Sequence, residues 1–136
     1  METFSLPVPP TMQTVFVYAA ILGLVFICLS AMTIRERRIA SVALGAGDNA
    51  RLLIRIRAHA NFAEYVPIAL FLMAGAALAD MPSWFIHACG VTLITGRLIH
   101  IGAIYVADIH LRIIGMTATL TVIGAECLAI LAQTVS

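Results

Sequence analysis

The chain has 136 residues, of which 62% are hydrophobic and 11% are charged, with a formal net charge of +1 at pH 7. Roughly a quarter of the residues of a typical soluble domain are charged, and a soluble domain this small cannot bury so many apolar side chains. The composition therefore excludes an ordinary soluble domain and indicates an integral membrane protein. The near-zero net charge gives no global field that would attract nucleic acid.

The three cysteines, Cys28, Cys89 and Cys127, are far apart and lie in apolar runs. Their spacing matches neither a zinc site nor a redox pair, and buried cysteine usually behaves as a small apolar residue. We therefore expect no metal site in this protein.

The first apolar run extends from Thr11 to Ile34, 24 residues without a charge, and about 20 apolar residues are enough to cross a bilayer. The segment before it, METFSLPVPP, has an acid and no base, so it lacks the basic region of a signal peptide. We expect the run to remain in the protein as the first membrane helix, which the RERR segment ends.

The two middle runs are shorter. The run that follows Glu64 and the run that precedes Arg97 contain only 15 and 16 uncharged residues. Each can span a bilayer only if the helix takes in its polar end. We therefore expect Asn61 and Glu64 to enter the second span, and Arg97 and His100 to enter the third.

The fourth run continues to Val135 and is interrupted once, by Glu126. Short connections between the runs favour antiparallel neighbours. We predict an all-α membrane protein with a single domain, a four-helix up-down bundle. The predicted domain covers residues 1–136, with spans at roughly 11–36, 50–79, 82–107 and 111–135.

The arginines are distributed unevenly among the connections. Six of the eight flank the first connection and Arg112 lies at the third, whereas the turn at Asp80 has none. Because basic residues favour the cytoplasmic side, we predict that the first and third connections are cytoplasmic and that both termini are not. The six are Arg35, Arg37, Arg38, Arg51, Arg55 and Arg57.

Polar residues form a stripe on the middle helices. Arg57, Asn61 and Glu64 stand at i, i+4 and i+7 on one helix face, and Arg97 and His100 share a face of the next span. In an antiparallel hairpin, Glu64 lies level with Arg97, and Asn61 with His100. Two interpretations remain open: Glu64 and Arg97 form a structural ion pair, because an isolated charge in a bilayer is costly, or the cluster binds an anionic ligand.

Pro67 follows Glu64 by one turn and cannot donate the backbone hydrogen bond of an ideal helix. Proline is tolerated in membrane helices, so it is either an ordinary feature of such a helix or a kink that opens a pocket beside the stripe.

The segment RAHANFAEYVP, residues 57–67, contains the pattern R-x-x-x-N-x-x-E-Y-x-P. This pattern resembles the signature of the MAPEG family, the membrane-associated proteins in eicosanoid and glutathione metabolism. GRLIH followed by Arg112 and Gly115 is similar to the third-helix and fourth-helix pattern of that family. The loop LGAGDNARLL resembles that of its compact bacterial members.

The resemblance implies a homotrimer of four-helix subunits in the bacterial inner membrane, with glutathione bound between neighbours near the cytoplasmic side. An arginine of the RERR segment would also reach a glutathione carboxylate; the alternative is that these arginines only set the topology. The implied glutathione-binding residues are Arg35, Arg38, Arg57, Asn61, Glu64, Tyr65, Arg97 and His100.

The implied catalytic residues are Arg112, which would stabilise the thiolate of glutathione, and Tyr105. Both depart from the family pattern by one position. The tyrosine of the third helix in the family aligns with Ile104, and Arg112 also comes one residue late. One residue is about 100° of helix rotation, so Tyr105 is either catalytic or an interfacial residue.

The family implies a glutathione transferase or peroxidase, with glutathione as co-substrate and a lipophilic electrophile taken from the membrane. Two alternatives remain. The protein could be a non-catalytic glutathione-binding or structural membrane protein of the same fold, which the shift at Arg112 would favour. It could instead be a small proton-coupled transporter that uses Glu64, Arg97 and Glu126.

Overall fold

The structure, a computed structural model, describes residues 8–135. Residues 1–7 and Ser136 lie outside the described part, as do the portions of the predicted domain and topology that fall on them. The described chain forms four α-helices and no β-strand, and each helix is long and apolar enough to cross a membrane. The predicted all-α, four-helix fold is therefore confirmed. The helices are α1 (Pro10–Ala40), α2 (Ala50–Leu78), α3 (Ser83–Val106) and α4 (Ile109–Val135).

Helix α1 continues past the predicted end of its span and includes the whole RERR segment. Arg37 and Arg38 occupy its last turn, where positive charge interacts favourably with the helix dipole. Arg37 also donates from Nη1 to the backbone oxygens of Ala43, at 3.3 Å, and Gly45, at 2.9 Å. This arginine therefore holds the first connection against the end of α1.

The remaining helix ends follow from local sequence. The Asn49 side chain accepts from the backbone N–H of Leu52 at 2.8 Å and caps α2. Asp80 has a φ of 55° in the turn before Pro82, which is the N-cap of α3. Asp108 accepts from the backbone N–H of Leu111 at 3.0 Å at the start of α4. The short connections make the helices antiparallel neighbours, as predicted.

The helices meet around a core of small and medium-sized side chains, and α3 and α4 cross at Gly96 and Gly115. A Cβ added at Gly115 would lie 2.6 Å from the carbonyl oxygen of Gly96 and 2.8 Å from the Cβ of His100. No side chain fits at that position without moving one helix. The glycine therefore sets how closely α4 approaches α3.

Many large apolar side chains point away from the core, as expected for a surface that contacts lipid. One apolar groove of about 330 Å³ lies between α1 and α2, and Phe26, Phe62 and Pro67 line it. Helix α2 runs through Pro67 without a break. Other exposed apolar residues include Phe16, Leu24, Ile27, Phe71, Trp84 and Leu128.

Candidate functional site

A cavity of about 610 Å³ opens between α2, α3 and α4. It lies at the arginine-rich end of the bundle, which is the end formed by the first and third connections. Five of the predicted site residues line it, three from α2 and one each from α3 and α4. These five are Arg57, Asn61, Glu64, His100 and Arg112.

The α2 wall of this cavity is the polar stripe that the sequence predicted. Arg57 and Glu64 are exposed, whereas Asn61 is half-buried beside α3. All three lie well inside α2, a helix that is long and apolar enough to span a membrane. The wall also includes Ile54, which is not a predicted site residue although it stands three residues before Arg57 on the same side of the helix.

Arg97 lies behind this wall and is only 1% exposed. Its Nη1 donates to Oδ1 of Asn61 at 2.8 Å and its Nη2 to the carbonyl oxygen of Gly115 at 3.4 Å. The guanidinium lies 5.8 Å from the centre of the Tyr65 ring. Tyr65 is therefore beside Arg97 and does not line the cavity.

The expected ion pair between Glu64 and Arg97 is not formed among residues 8–135, because no nitrogen–oxygen distance between them is within 4.0 Å. Asn61 takes the place of Glu64. Positions 61 and 64 differ by about 60° around the helix, and this rotation turns Glu64 out of the helix interface and towards the cavity. The sequence predicted that Glu64 and Arg97 lie at the same depth in the membrane, but depth alone does not determine which way a side chain points around its helix.

His100 joins the α3 wall to α4. It is buried, and its Nδ1 lies 3.1 Å from the backbone oxygen of Arg112. The same α3 face carries Ile104 and Ala107, at i+4 and i+7, and both line the cavity. Arg112 is exposed at its mouth. His100 and Arg112 thus form one corner of the site.

Tyr105 is not part of the cavity wall. Its hydroxyl is buried and has no hydrogen-bond partner within the described chain, and its ring lies against the Arg55 guanidinium, 4.5 Å from the ring centre. Ile104, which aligns with the family's tyrosine, faces the cavity instead. The one-residue shift is therefore not absorbed by a bulge that would turn Tyr105 inwards.

Arg35 and Arg38 are exposed on α1, and neither lines a cavity built from α2, α3 and α4. Arg37, the third basic residue of that segment, contacts the carbonyl oxygens of the first connection instead. Within one chain, the structure brings together five of the predicted residues of α2, α3 and α4 around the cavity, but not Tyr105 or the predicted residues of α1.

The cavity combines cations, one carboxylate and hydrogen-bonding groups. Arg57 and Arg112 outnumber Glu64, and Arg97 adds a further positive charge behind Asn61. Arginine offers planar paired donors to carboxylates, and a carboxylate can accept from an amine. The arrangement suits a small, net anionic molecule that also carries an ammonium group.

A second polar region lies away from this cavity, towards the Asp80 end of the bundle. Glu126 is fully buried, and neither of its carboxyl oxygens has a hydrogen-bond partner among residues 8–135. It lies close enough to Cys89 to interact with it electrostatically. Nearby along α3, Nδ1 of His87 lies 3.0 Å from the hydroxyl of Tyr18.

Comparison with known proteins identifies the family. The model of the MAPEG family matches residues 15–132, which is most of the chain. The chain belongs to the MAPEG family. It is also 35% identical over 102 residues to the "Inner membrane protein YecN" of Escherichia coli K12, which covers 75% of this chain and 78% of YecN. YecN of Escherichia coli O6:H1 gives the same values, and no solved structure matches.

The matched segment of this MAPEG protein includes all five polar residues of the cavity. The name of YecN describes an inner membrane protein and specifies no reaction.

Proposed function

We propose that this MAPEG protein binds glutathione in the cavity at the arginine-rich end and ionises its thiol for attack on lipophilic electrophiles or hydroperoxides. It would thus act as a membrane-bound glutathione transferase or peroxidase. The observation that supports this proposal is the cavity itself, which places two arginines, one glutamate, an asparagine and a histidine around about 610 Å³.

The groups of glutathione match the groups of the wall. Glutathione carries two carboxylates, one α-ammonium group and a thiol. Arg57 would bind a carboxylate through paired donors, and Glu64 would accept from the ammonium group. Because Oδ1 of Asn61 accepts from Arg97, the Asn61 amide nitrogen remains as a donor to the ligand.

Arg112 would act on the sulfur. Arginine stays protonated at any working pH, and a nearby cation stabilises a thiolate and so lowers the pKa of the thiol. Arg112 is exposed at the mouth of the cavity, where an electrophile dissolved in lipid could reach the sulfur. Its interaction would strengthen as charge develops on the sulfur, so its main effect is on turnover.

A homotrimer would complete the site. Arg57, Glu64 and Arg112 are exposed in one chain although they occupy membrane-spanning helices, where a charge facing lipid is costly. Arg35 and Arg38 are on α1, outside the cavity of their own chain. We propose that α1 of a neighbouring subunit covers the opening and supplies one of these arginines to a glutathione carboxylate, in an inner-membrane protein whose arginine-rich end is cytoplasmic.

Two alternatives make different predictions. A non-catalytic member of the family would bind glutathione without forming a thiolate. A proton-coupled transporter that uses Glu64, Arg97 and Glu126 would require contact among them, yet Glu126 is fully buried and lines neither cavity described above. The position of Tyr105 outside the cavity favours the non-catalytic alternative, whereas Arg112, on which thiol activation would depend, lines the cavity.

The test is made on purified protein in detergent. Equilibrium calorimetry measures glutathione binding, ultraviolet difference spectroscopy measures the thiolate, and a panel of electrophiles and hydroperoxides measures turnover. We expect Arg57→Ala to weaken glutathione binding. Arg112→Ala should keep most of the affinity but lose about 100-fold or more in turnover, as when one donor to a developing anion is removed.

Arg51→Ala is the matched control, because Arg51 is exposed on the same helix and does not line the cavity. It should bind glutathione and turn over as the parent protein does. Absence of glutathione binding by the parent protein would refute the proposal. Binding without thiolate or turnover would favour the non-catalytic alternative.

A further inference from the structure

The hydrogen bond between His100 and Arg112 determines the tautomer of the imidazole. A backbone carbonyl oxygen can only accept, so Nδ1 of His100 must carry the hydrogen in the 3.1 Å contact with the Arg112 oxygen. In a neutral imidazole the other nitrogen, Nε2, then carries a lone pair and can accept a proton.

The accepting nitrogen is reachable from the cavity. Nε2 of His100 has no hydrogen-bond partner among residues 8–135. It is also not fully buried, in contrast to the unpartnered Nε of Arg97. Since His100 lines the cavity, its free nitrogen is available to a molecule bound there.

This tautomer depends on the close crossing of α3 and α4. Gly115 lies against the backbone and Cβ of His100, and only a glycine at that position allows the Arg112 carbonyl to come within hydrogen-bond distance. Orientation of a histidine by a partner on its other nitrogen is a general feature of catalytic histidines.

Few other side chains of the wall can take a proton. Arginine does not give up its proton in proteins, and a neutral asparagine amide is not a base. Ile104 stands where the family has a tyrosine, and the Tyr105 hydroxyl does not line the cavity. Among the lining residues, this leaves Glu64, which the proposed function assigns to the ammonium group, and His100.

We infer that His100 is the general base of the reaction and removes the thiol proton of bound glutathione through Nε2. This inference rests on the proposed function and adds a step to it. The S–H bond breaks, its electron pair stays on sulfur as the thiolate, and the proton passes to Nε2. The resulting imidazolium keeps its Nδ1–H bond to the Arg112 carbonyl, so the ring is not reoriented.

Charged groups face His100 from three helices: Arg97 from its own helix, Arg112 from α4, and Arg57 and Glu64 from α2 across the cavity. The arginines stabilise the thiolate and oppose the positive charge of the imidazolium, whereas the Glu64 carboxylate favours that charge. The thiolate attacks the electrophilic carbon of the second substrate, an S–C bond forms, and the leaving group departs with its bonding electrons. The imidazolium then returns its proton to the leaving group or to water, which regenerates neutral His100.

The experiment uses two substitutions that separate the nitrogens of the ring. The amide nitrogen of His100→Asn occupies a position similar to Nδ1 and can still donate to the Arg112 carbonyl, whereas that of His100→Gln extends to the position of Nε2. Neither amide is a base. We expect both variants to bind glutathione with little change in Kd but to lose about 100-fold or more in kcat at neutral pH.

The pH dependence provides the readout that a purely structural residue would not change. In both variants the thiolate signal of bound glutathione should require a higher pH than in the parent protein, and kcat should recover as the pH rises. Added imidazole should also restore turnover to His100→Ala. His110→Gln is the control, because His110 is exposed and lies outside the cavity wall.

The outcomes separate the two proposals. If the parent protein binds no glutathione, the proposed function and this inference both fail. If the parent turns over but the His100 variants keep its kcat and thiolate signal, only the inference fails. The inference would also be overturned if the His100 variants lost glutathione binding and lost turnover equally at every pH. His100 would then serve only to bind glutathione or to stabilise the fold.

Discussion

The two ends of the bundle contain polar groups of similar kinds but place them differently. At the arginine-rich end, Arg57, Glu64 and Arg112 face an open cavity. Towards the Asp80 end, the carboxyl group of Glu126 is enclosed without a hydrogen-bond partner in the described chain. Both arrangements are costly inside a membrane. Only the first leaves its groups accessible to a ligand.

The difference follows from where the residues lie along α4. Glu126 is the last residue of a stripe on α4 that begins at Gly115 and faces the other helices. Arg112 lies about one turn before this stripe, where its side chain is exposed and lines the cavity. Ligand access therefore depends on the position of a polar residue in the bundle and not on how polar a segment is.

The largest expected effect concerns which end faces the cytoplasm. In a variant without Cys28, Cys89 and Cys127, a cysteine at Leu44 in the first connection should be protected from an impermeant thiol reagent added outside intact cells. A cysteine at Val135 should be labelled, because the arginines hold the first connection inside. Labelling of both positions from the same side would contradict the orientation.

The next prediction concerns the hydrogen bond behind the cavity. A double-mutant cycle with Asn61→Ala and Arg97→Gln should give a coupling free energy of about 1.5–3 kcal/mol for unfolding in detergent, because the bond is charge-assisted and Arg97 is buried. The companion cycle with Glu64→Gln and Arg97→Gln should be close to additive. An equal coupling free energy in both cycles would instead support an ion pair between Glu64 and Arg97.

The close crossing of α3 and α4 can be tested with one methyl group. Gly115→Ala should lower the free energy of unfolding by about 1–3 kcal/mol, because the new Cβ would meet backbone atoms of α3. It should also lower turnover, since Arg112 and His100 would separate. Gly124→Ala in the same helix is the control, with nothing within 4 Å of the added Cβ, and should be neutral or slightly stabilising. Two variants of equal stability would argue against the crossing.

The smallest effect is expected at the enclosed carboxyl. Glu126→Met keeps a similar shape and removes two oxygens that have no partner in the described chain, so it should raise the free energy of unfolding by about 1 kcal/mol. Glutathione turnover should not change, because Glu126 does not line the cavity. A large loss of activity would instead indicate a role in proton movement and support the transporter alternative.

The sequence alone was sufficient for the number of helices and for the five polar residues that line the cavity. Short apolar runs required Asn61 and Glu64 to enter α2 and Arg97 and His100 to enter α3, and all four lie there. The i, i+4, i+7 spacing predicted one shared face on α2. These conclusions depend only on the bilayer thickness and the period of the helix, which are the same for any membrane helix.

The tertiary structure decided which of these residues meet. Glu64 and Asn61 both lie at a depth from which a side chain could reach Arg97. Their different angular positions around α2 decide that Asn61 makes the hydrogen bond. The same kind of rotation turns Ile104 into the cavity and Tyr105 out of it, and the glycine crossing brings the Arg112 carbonyl to His100. Spacing along a chain gives the relative angles of residues on one helix, but the angle and distance between two helices arise from packing against the rest of the bundle.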